Sequence, residues 1–358
     1  MRSLLLPIVH PTVFVSLLVE FLLVTSCVTP YQPDTVSSST ALVVEGLITN
    51  QAGPYTVKLS RTADYALASL NLLETGALVT ISDTLGHQEV LREEQPGVYT
   101  TQAGQIQGVT GRSYQVTITT QDGVTYQSDR ELLKACPPID RIYAEYHYEP
   151  TALTNDKANL WDVFVDTKDP KTPGDFYRWE WTHYEFLNFC GIYSYGIDKD
   201  VGISCCSNCW DITHCYSNCI NISSDVAVNG GTISRQAITQ ITYNSSVPYY
   251  VEVKQQLLSR GVYTFFQRAQ QQIKNSGGLF DSAPASINGN LHSTNRPGSL
   301  VYGYFGAVGE SEAYLLVNRQ AGQGRPVYRQ VDVAPLLPCL ACENSAYRTS
   351  TKPRWWPN

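Results

Sequence analysis

The pattern that most limits the fold is a series of short alternating segments between residues 41 and 134. Two sets of side chains alternate from Leu42 and again from Tyr55, where apolar Tyr55, Val57 and Leu59 are separated by polar residues, and turn residues such as Asp122-Gly123 separate later segments. Period-two alternation is typical of β-strands, and Asp-Gly between two such segments predicts a hairpin. About seven short strands over some 90 residues predict an immunoglobulin-like β-sandwich. The fold class is therefore mainly β.

Paired prolines after Cys136 predict a boundary, because Pro137-Pro138 ends regular structure. We expect a larger β-rich domain over 137–345, with a cysteine-rich insertion at 190–219 and a loose tail at 346–358. Val262, Phe266 and neighbouring apolar residues recur at helical spacing, which predicts one helix near 259–275. Strands are predicted on both sides of it, including separate ones over 300–308 and 313–318.

The amino terminus has the pattern of a lipoprotein signal. An apolar segment over residues 13–24 leads into Thr25-Ser26 and stops at Cys27. Small residues beside a scissile bond suit a signal peptidase, so 1–26 is predicted to be removed and Cys27 to carry lipid. An ordinary cleaved signal or an uncleaved anchor is the alternative. Residues 27–40 contain prolines and hydroxyl residues without an apolar period, and they predict a tether.

Composition and motifs exclude several classes of function. The net charge is −7 and no basic tract is present, which argues against nucleic-acid binding. No later stretch is long and apolar enough for a transmembrane helix. The sequence contains no nucleophile elbow, zinc-protease helix, phosphate loop or calcium loop. We therefore predict no cofactor and no catalysis, with a hydrolase built from dispersed carboxylates as the alternative.

Nine cysteines follow Cys27, and most of them lie close together. A chain carrying an export signal folds where thiols oxidise, so disulfides are expected. Zinc held by the close pairs of the cluster is the alternative, although only five residues separate those pairs. Nine is an odd number, so at least one sulfur stays unpaired or bonds outside the chain. We expect Cys209 and its neighbours to close short loops around Trp210. The disulfide candidates are Cys136, Cys190, Cys205, Cys206, Cys209, Cys215, Cys219, Cys339 and Cys342, of which Cys206, Cys209, Cys215 and Cys219 form the alternative zinc set.

An aromatic ladder lies in the segment 176–186. Trp179, Trp181 and His183 share one face of the predicted strand, while Arg178 and Glu180 lie on the other. Tryptophans on one face can bind a sugar or a peptide, but burial in the core is the commoner role of such a ladder. His183 and Glu185 lie two positions apart and therefore on the same face of the strand, a placement that permits acid–base chemistry.

The carboxy-terminal half resembles a known family. The segments that carry the resemblance are CWDI at 209–212, YVEVKQQLLS at 250–259, NSGGLFD at 275–281, PASINGN at 284–290 and VYGYFGA at 301–307. They are similar to the domain of unknown function 4249, a family of Bacteroidota lipoproteins often encoded beside a TonB-dependent outer-membrane receptor. The resemblance runs from Cys27 to about residue 319. It implies an outer-membrane lipoprotein and brings no catalytic residues.

From this resemblance we expect an accessory or ligand-capturing partner of a TonB-dependent receptor, anchored by lipid in the outer membrane. The ligand is unspecified. Tyr302, Tyr304 and Phe305 in the last recognisable strand are candidates for the contact with the partner. Thr35 in the tether lies in an Asp-Thr-Val triplet similar to the O-glycosylation signal of Bacteroidota. A purely structural scaffold is the remaining alternative.

Overall fold

A computed structural model describes residues 40–62, 72–148, 159–195, 199–216, 219–274, 287–324, 326, 331–334 and 337–356. Cys27 and Thr35 lie outside these residues. Within the described part of the chain, no helix has the length and apolar character needed to cross a membrane.

The predicted mainly-β class is confirmed, with one α-helix among the described residues. The first ten strands are β1 (Leu42–Thr49), β2 (Thr56–Arg61), β3 (Leu72–Leu73), β4 (Leu78–Asp83), β5 (Gln88–Val90), β6 (Arg92–Gln95), β7 (Val98–Thr100), β8 (Ser113–Thr119), β9 (Thr125–Ser128) and β10 (Glu131–Leu132). The remaining elements are β11 (Arg141–His147), β12 (Leu160–Lys168), β13 (Phe176–Phe186), β14 (Phe189–Tyr195), β15 (Lys199–Ser204), β16 (Trp210–His214), β17 (Asn221–Ser224), β18 (Thr232–Thr242), β19 (Tyr249–Leu258), α1 (Arg260–Lys274), β20 (Leu291–Ser293), β21 (Val301–Val317), β22 (Val331–Val333) and β23 (Arg348–Thr349).

One long sheet connects the two halves of the chain. Its strand order is β23-β16-β13-β19-β21-β1-β2-β7-β6, with β17 also paired to β13 and β3 to β2. Strand β1 runs parallel to β21 on one side and antiparallel to β2 on the other. The prolines at 137–138 thus lie between strands along the chain, but the long sheet contains strands from both sides of this predicted boundary.

The amino-terminal region forms a two-sheet sandwich. The β1-β2-β7-β6 end of the long sheet packs on a second sheet of order β20-β9-β8-β4-β5, with β10 paired to β8. Strict alternation explains the core, because β8 buries every second residue: Tyr114, Val116 and Ile118. Phe305 and Ala307 of β21 enter the same core. The sandwich therefore includes strands from the far end of the sequence; its immunoglobulin-like topology stays a prediction.

A second core lies on one face of the long sheet, beneath the three-stranded sheet β11-β12-β18. Trp179 and Tyr177 of β13 and Val251 and Val253 of β19 are buried there. Helix α1 packs on the opposite face, where Val262 joins a smaller core with residues of β13, β19 and β21. The two faces of β13 and β19 thus have different covers, and only the helix face remains partly open.

Strand β21 differs from prediction, because one strand of 17 residues replaces two. Gly309 and the residues after it stay extended through backbone pairing with β19 from Leu257 to Tyr249. Near its start, the Asn290 amide pairs with both backbone groups of Phe305, at 2.9 and 3.1 Å. The PASINGN segment that marks the family resemblance therefore ends in a residue that fixes the path of β21.

Candidate functional site

The helix face of the long sheet carries an ordered array of polar side chains. Strands β13, β19 and β21 are antiparallel neighbours, so residues in register form rows across them. The first row is Arg178, Gln256 and Glu310, and the second is Glu180, Lys254 and Glu312. Opposite charges therefore alternate along β13 and across the second row, whereas Glu310 and Glu312 are neighbouring like charges on β21.

Lys254 is the central cation of this array. Its Nζ lies 3.2 Å from a Glu310 carboxylate oxygen and 3.5 Å from one of Glu312. Burial alone would lower the pKa of the Lys254 ammonium, but the two carboxylates outweigh it and the pKa is raised. Gln256 Nε2 donates to Glu310 at 3.0 Å and to Glu180 at 3.4 Å. Both oxygens of Glu310 are thereby engaged.

Arg178 is less completely paired. One Nη donates to Glu180, and the other lies 3.5 Å from the Gln256 Oε1 atom, a long contact. The guanidinium stacks over the Phe266 ring of α1 at 4.3 Å from its centroid. Its Nε is buried and has no hydrogen-bond partner among the described residues. Arg178 thus has one unsatisfied donor inside the protein and one weakly paired Nη group.

That space is a cleft of about 670 Å³ between α1 and the sheet, which we term the sheet cleft. Its walls include apolar and aromatic residues of β1, α1 and β21, and its floor includes the charged array. The residues that define it here are Val43, Glu45, Leu47, Lys58, Arg178, Glu180, Lys254, Val262, Phe265, Phe266, Tyr304 and Glu310. A cavity of this size with an apolar wall and a few polar groups suits a small ligand.

A second cleft of about 620 Å³ lies beside the first and shares Arg178, Glu180 and Lys254 with it. Its outer wall is formed by Thr182, His214, the Cys215 and Cys219 pair and part of β18. The three shared residues form the ridge between the two clefts. A ligand longer than the sheet cleft would therefore reach a second concave surface.

The carboxy-terminal tail covers the far end of the same sheet face. Trp355 stacks on Tyr314 at 5.1 Å between ring centroids, and Arg354 pairs with Glu312 at 2.8 Å. Trp356 contacts the ring of Tyr250, which is fully buried. Within the part of the chain that the structure describes, the charged array is therefore open between helix α1 and this tail.

The aromatic ladder predicted as a binding surface lies largely on the core side. Trp179 is 1% exposed, and its indole nitrogen donates to the Gln255 side chain at 2.9 Å. Trp181 packs partly buried against the same core, and both tryptophans also line part of the second cleft. The alternation read from the sequence is correct, but the sheet cleft uses the other face of β13, with Arg178 and Glu180.

The candidates on β21 are also mostly buried. Phe305 is inaccessible, and Tyr304 is 8% exposed with its hydroxyl donating to Glu131. Tyr302 is half-buried. The prediction of a partner-contact surface is therefore wrong for Phe305, which is inaccessible. Tyr304 contributes to the wall of the cleft instead.

The cysteines form four disulfides, which confirms the preference for oxidation over zinc. The pairs are Cys190–Cys205, Cys206–Cys339, Cys209–Cys342 and Cys215–Cys219. All four cysteines of the alternative zinc set are therefore bonded in disulfides and are not available as zinc ligands. The expectation of short loops was wrong for two of the pairs, because Cys206 and Cys209 each bond to a residue 133 positions away.

Cys136 is the one free cysteine in the part of the chain that the structure describes. Its Sγ lies 3.4 Å from the backbone oxygen of Gln255 and 3.6 Å from the Ser311 hydroxyl. Burial raises the pKa of the thiol to about 11. A neutral, enclosed thiol of this kind is a structural residue.

The histidine–glutamate pair predicted from spacing does make contact. His183 Nε2 lies 3.5 Å from Glu185, and its Nδ1 lies 2.6 Å from the backbone oxygen of Tyr250. Arg319 is 1% exposed and approaches the other Glu185 oxygen at 3.3 Å. The hydrogen bond from His183 lowers the pKa of Glu185 against the opposing effect of burial. The group lies outside the lining of both clefts, so we interpret it as structural.

Oxygen ligands suitable for a divalent cation come together at Asp169, Asp175 and Asp225, whose carboxylates lie within 4.8 Å of one another. Each already accepts from the chain: Tyr177 donates to Asp169 at 2.6 Å, and Lys134 pairs with Asp175 at 3.2 Å. The remaining donors come from neighbouring backbone and hydroxyl groups. These contacts explain the cluster as a support for the turn between β12 and β13.

Sequence reasoning missed Lys254, Glu310 and Glu312 as site residues. Their signal was present: charged residues repeat at every second position in Glu252-Val253-Lys254 and Glu310-Ser311-Glu312. Such alternation within apolar strands indicates one polar face. The sequence pattern does not give the register between β19 and β21, and it is this register that brings the two segments together.

The fold and the cleft define a mainly-β protein in which one continuous sheet presents a charged, ligand-sized concavity. The family model for a domain of unknown function (DUF4249) matches residues 28–313, and the chain belongs to this family. No curated protein matches the chain.

Proposed function

We propose that this protein is a lipid-anchored outer-membrane lipoprotein that captures a ligand in the sheet cleft as an accessory partner of a TonB-dependent receptor. The observation that carries the proposal is the cleft itself, with Arg178 underused beside an apolar wall. Family membership supports the cellular setting, and the Cys27 motif supports the anchor.

Capture is tested by what the protein retains. The native lipoprotein and a Val43→Trp variant, which fills the cleft wall, are purified in parallel, and released small molecules are identified by mass spectrometry. We expect compounds present in the wild type and depleted in the variant. Equal content in the two proteins, with equal thermal stability, would argue against capture in this cleft.

Anchoring is tested at Cys27. The wild type is expected to incorporate labelled palmitate and to fractionate with outer membrane, whereas Cys27→Ala is expected to be released. A Cys27→Ala protein that stays with the membrane would contradict the lipoprotein assignment.

The receptor partnership follows from tethering. Thirteen residues at 28–40 extend at most about 40 Å, so an anchored body meets receptors of its own leaflet at high effective concentration. Cross-linking at native expression levels, followed by purification and mass spectrometry, should recover receptor peptides, and fewer of them from Cys27→Ala. Recovery of the lipoprotein alone would remove this part of the proposal.

An envelope hydrolase acting on glycans or peptides is the second candidate, because Glu180 and Glu310 converge on the same amide of Gln256. Paired carboxylates can act as acid and base. Capture is preferred because Lys254 and Gln256 already occupy both Glu310 oxygens. Turnover of fluorogenic glycosides or peptides that is lost in Glu310→Gln and kept in Glu145→Gln would favour the hydrolase.

A further inference from the structure

We infer that the ligand of the sheet cleft is a short peptide with a free carboxyl terminus and an apolar last side chain. This inference rests on the proposed capture function and specifies its ligand. Three independent features of the cleft support it: the two signs of charge on its floor, the weakly paired Nη group of Arg178, and the aromatic residues of its wall.

The floor of the cleft carries both signs of charge, which favours a ligand that also carries both. Arg178 and Glu180 lie two residues apart on β13, and Lys254 lies opposite Glu180 on β19. Neighbouring strands are about 4.8 Å apart, so a ligand group near one of these charges is also near a charge of the opposite sign. A polyanion or polycation would meet repulsion as near as attraction. A zwitterionic peptide has its ammonium and carboxylate at separate positions and avoids this conflict.

Arg178 supplies the site for the carboxylate. Arg178 lines the cleft, and one of its Nη groups makes only a long contact of 3.5 Å with Gln256 Oε1, so this group can also donate to a ligand. A carboxylate accepts two parallel hydrogen bonds from a guanidinium, which is the strongest pairing open to this side chain. The Glu180 side chain is 40% exposed, so it is accessible to a ligand ammonium group.

The wall of the cleft favours a peptide side chain over a sugar ring. Sugars stack on exposed aromatic faces, but Arg178 already covers a face of Phe266. Phe265 packs edge-on against Phe266 at 5.6 Å between centroids, and it lies tilted against Tyr304 at 5.7 Å. Together with Leu47 they give the cleft an apolar region, which we term the apolar slot, and Arg178 lines the same cleft. A terminal leucine, phenylalanine or similar side chain fits this slot while the adjoining carboxylate reaches the guanidinium.

The test uses the purified lipoprotein in detergent and an equimolar pool of tripeptides Ala-Ala-X, in which X is every natural residue except cysteine. Retained peptides are counted by mass spectrometry after equilibrium dialysis. We expect peptides with apolar X to be retained at least tenfold more than those with Asp or Lys. Retention should fall at least tenfold for the same pool made as C-terminal amides.

Two variants and one control locate the site. Arg178→Gln should lose the preference for free acids over amides, and Val43→Trp should lose retention without altering Arg178. Arg141→Gln, which removes an exposed arginine on β11, should behave like the wild type. Equal retention of acids and amides, or unchanged retention in both cleft variants, overturns the inference.

The outcomes also separate this inference from the capture proposal. If cell-derived compounds still depend on Val43 while no tripeptide is retained, the peptide assignment fails and capture stands. If neither class of compound depends on the cleft, both fail.

Discussion

Individual residues on β13 and β21 perform different tasks according to the face they occupy. The odd-numbered residues Trp179 and His183 are buried in the core, and the even-numbered Arg178 and Glu180 line the clefts. At the edge of the core, Glu185 has a side chain that is 39% exposed and interacts with both His183 and Arg319. The stability of the protein should therefore depend on the ionisation of Glu185.

The pH dependence follows from the sign of the Glu185 shift. Its pKa is lowered in the folded protein from an ordinary value of 4.5, so its contribution is complete above that value and is lost as the pH falls further. The melting temperature of Glu185→Gln should lie below that of the wild type at pH 7, and the gap should narrow as the pH falls below about 4.5. Glu145→Gln removes a carboxylate that is 46% exposed and should leave a small, constant gap. A constant gap for Glu185→Gln would contradict the assignment.

Replacing Gly303 by alanine should lower the unfolding free energy strongly, although it adds only one methyl group. Its φ is +93°, and a Cβ there would lie 1.8 Å from the backbone oxygen of Val44. Gly298 has a similar φ of +84° with open space around the Cβ position, so it isolates the backbone cost. Gly298→Ala should lose about 1 kcal/mol of unfolding free energy. Gly303→Ala should lose several times more or fail to fold, as measured by urea denaturation; equal losses would show that the clash is relieved.

At the scale of elements, two neighbouring disulfides attach the segment that leads into the tail to the cysteine-rich insertion. Cys206 and Cys209 bond to Cys339 and Cys342 respectively, and β23 pairs with β16 beside them. The tail then crosses the sheet face and packs Trp355 on Tyr314. These bridges therefore determine where the open part of the polar face ends.

Removing these two disulfides should have a strongly non-additive effect. Either bridge alone closes a loop of 133 positions, which corresponds to about 5 kcal/mol by chain entropy. Once one is closed, the other constrains only a few further residues. Replacing one pair by serines should cost well under half the unfolding free energy lost when both pairs are replaced, in urea denaturation without reductant.

The control for this prediction is the Cys215–Cys219 pair, which spans only four positions and should cost little when replaced by serines. Intact masses with and without reductant count the disulfides in each variant. Equal, additive losses from the two long-range pairs would contradict the argument.

At the scale of the whole molecule, the long sheet makes the two halves of the chain interdependent. Strand β1 has β21 as its parallel neighbour over Leu42 to Thr49. Phe305 and Ala307 complete the amino-terminal core, and β20 extends its second sheet. The sandwich therefore depends on residues more than 150 positions beyond its last predicted strand.

A fragment of residues 40–134 should consequently remain unfolded. Without β21 it loses the parallel edge of β1 and leaves part of its core open to water. We expect a poorly dispersed proton NMR spectrum and no cooperative melting, while residues 28–358 melt cooperatively. A dispersed spectrum from the fragment would show that the sandwich is an independent domain.

The sequence alone determined the features that depend on neighbouring residues. Alternation predicted the β class and the two faces of β13, helical spacing predicted α1 to within one residue at each end, and export context predicted oxidised cysteines. Local periodicity is sufficient for these because it depends on backbone geometry and solvent exposure over a few positions.

The tertiary structure alone decided which face of β13 would be open, which cysteines would pair, and that β21 would join β1. Each depends on contacts between distant segments: α1 and the β11-β12-β18 sheet cover opposite faces, and Cys206 meets Cys339 across 133 positions. A period-two pattern marks two faces as different, but burial is assigned to one of them only when another element packs on it. The charged array is in consequence a product of register among β13, β19 and β21, which no single segment encodes.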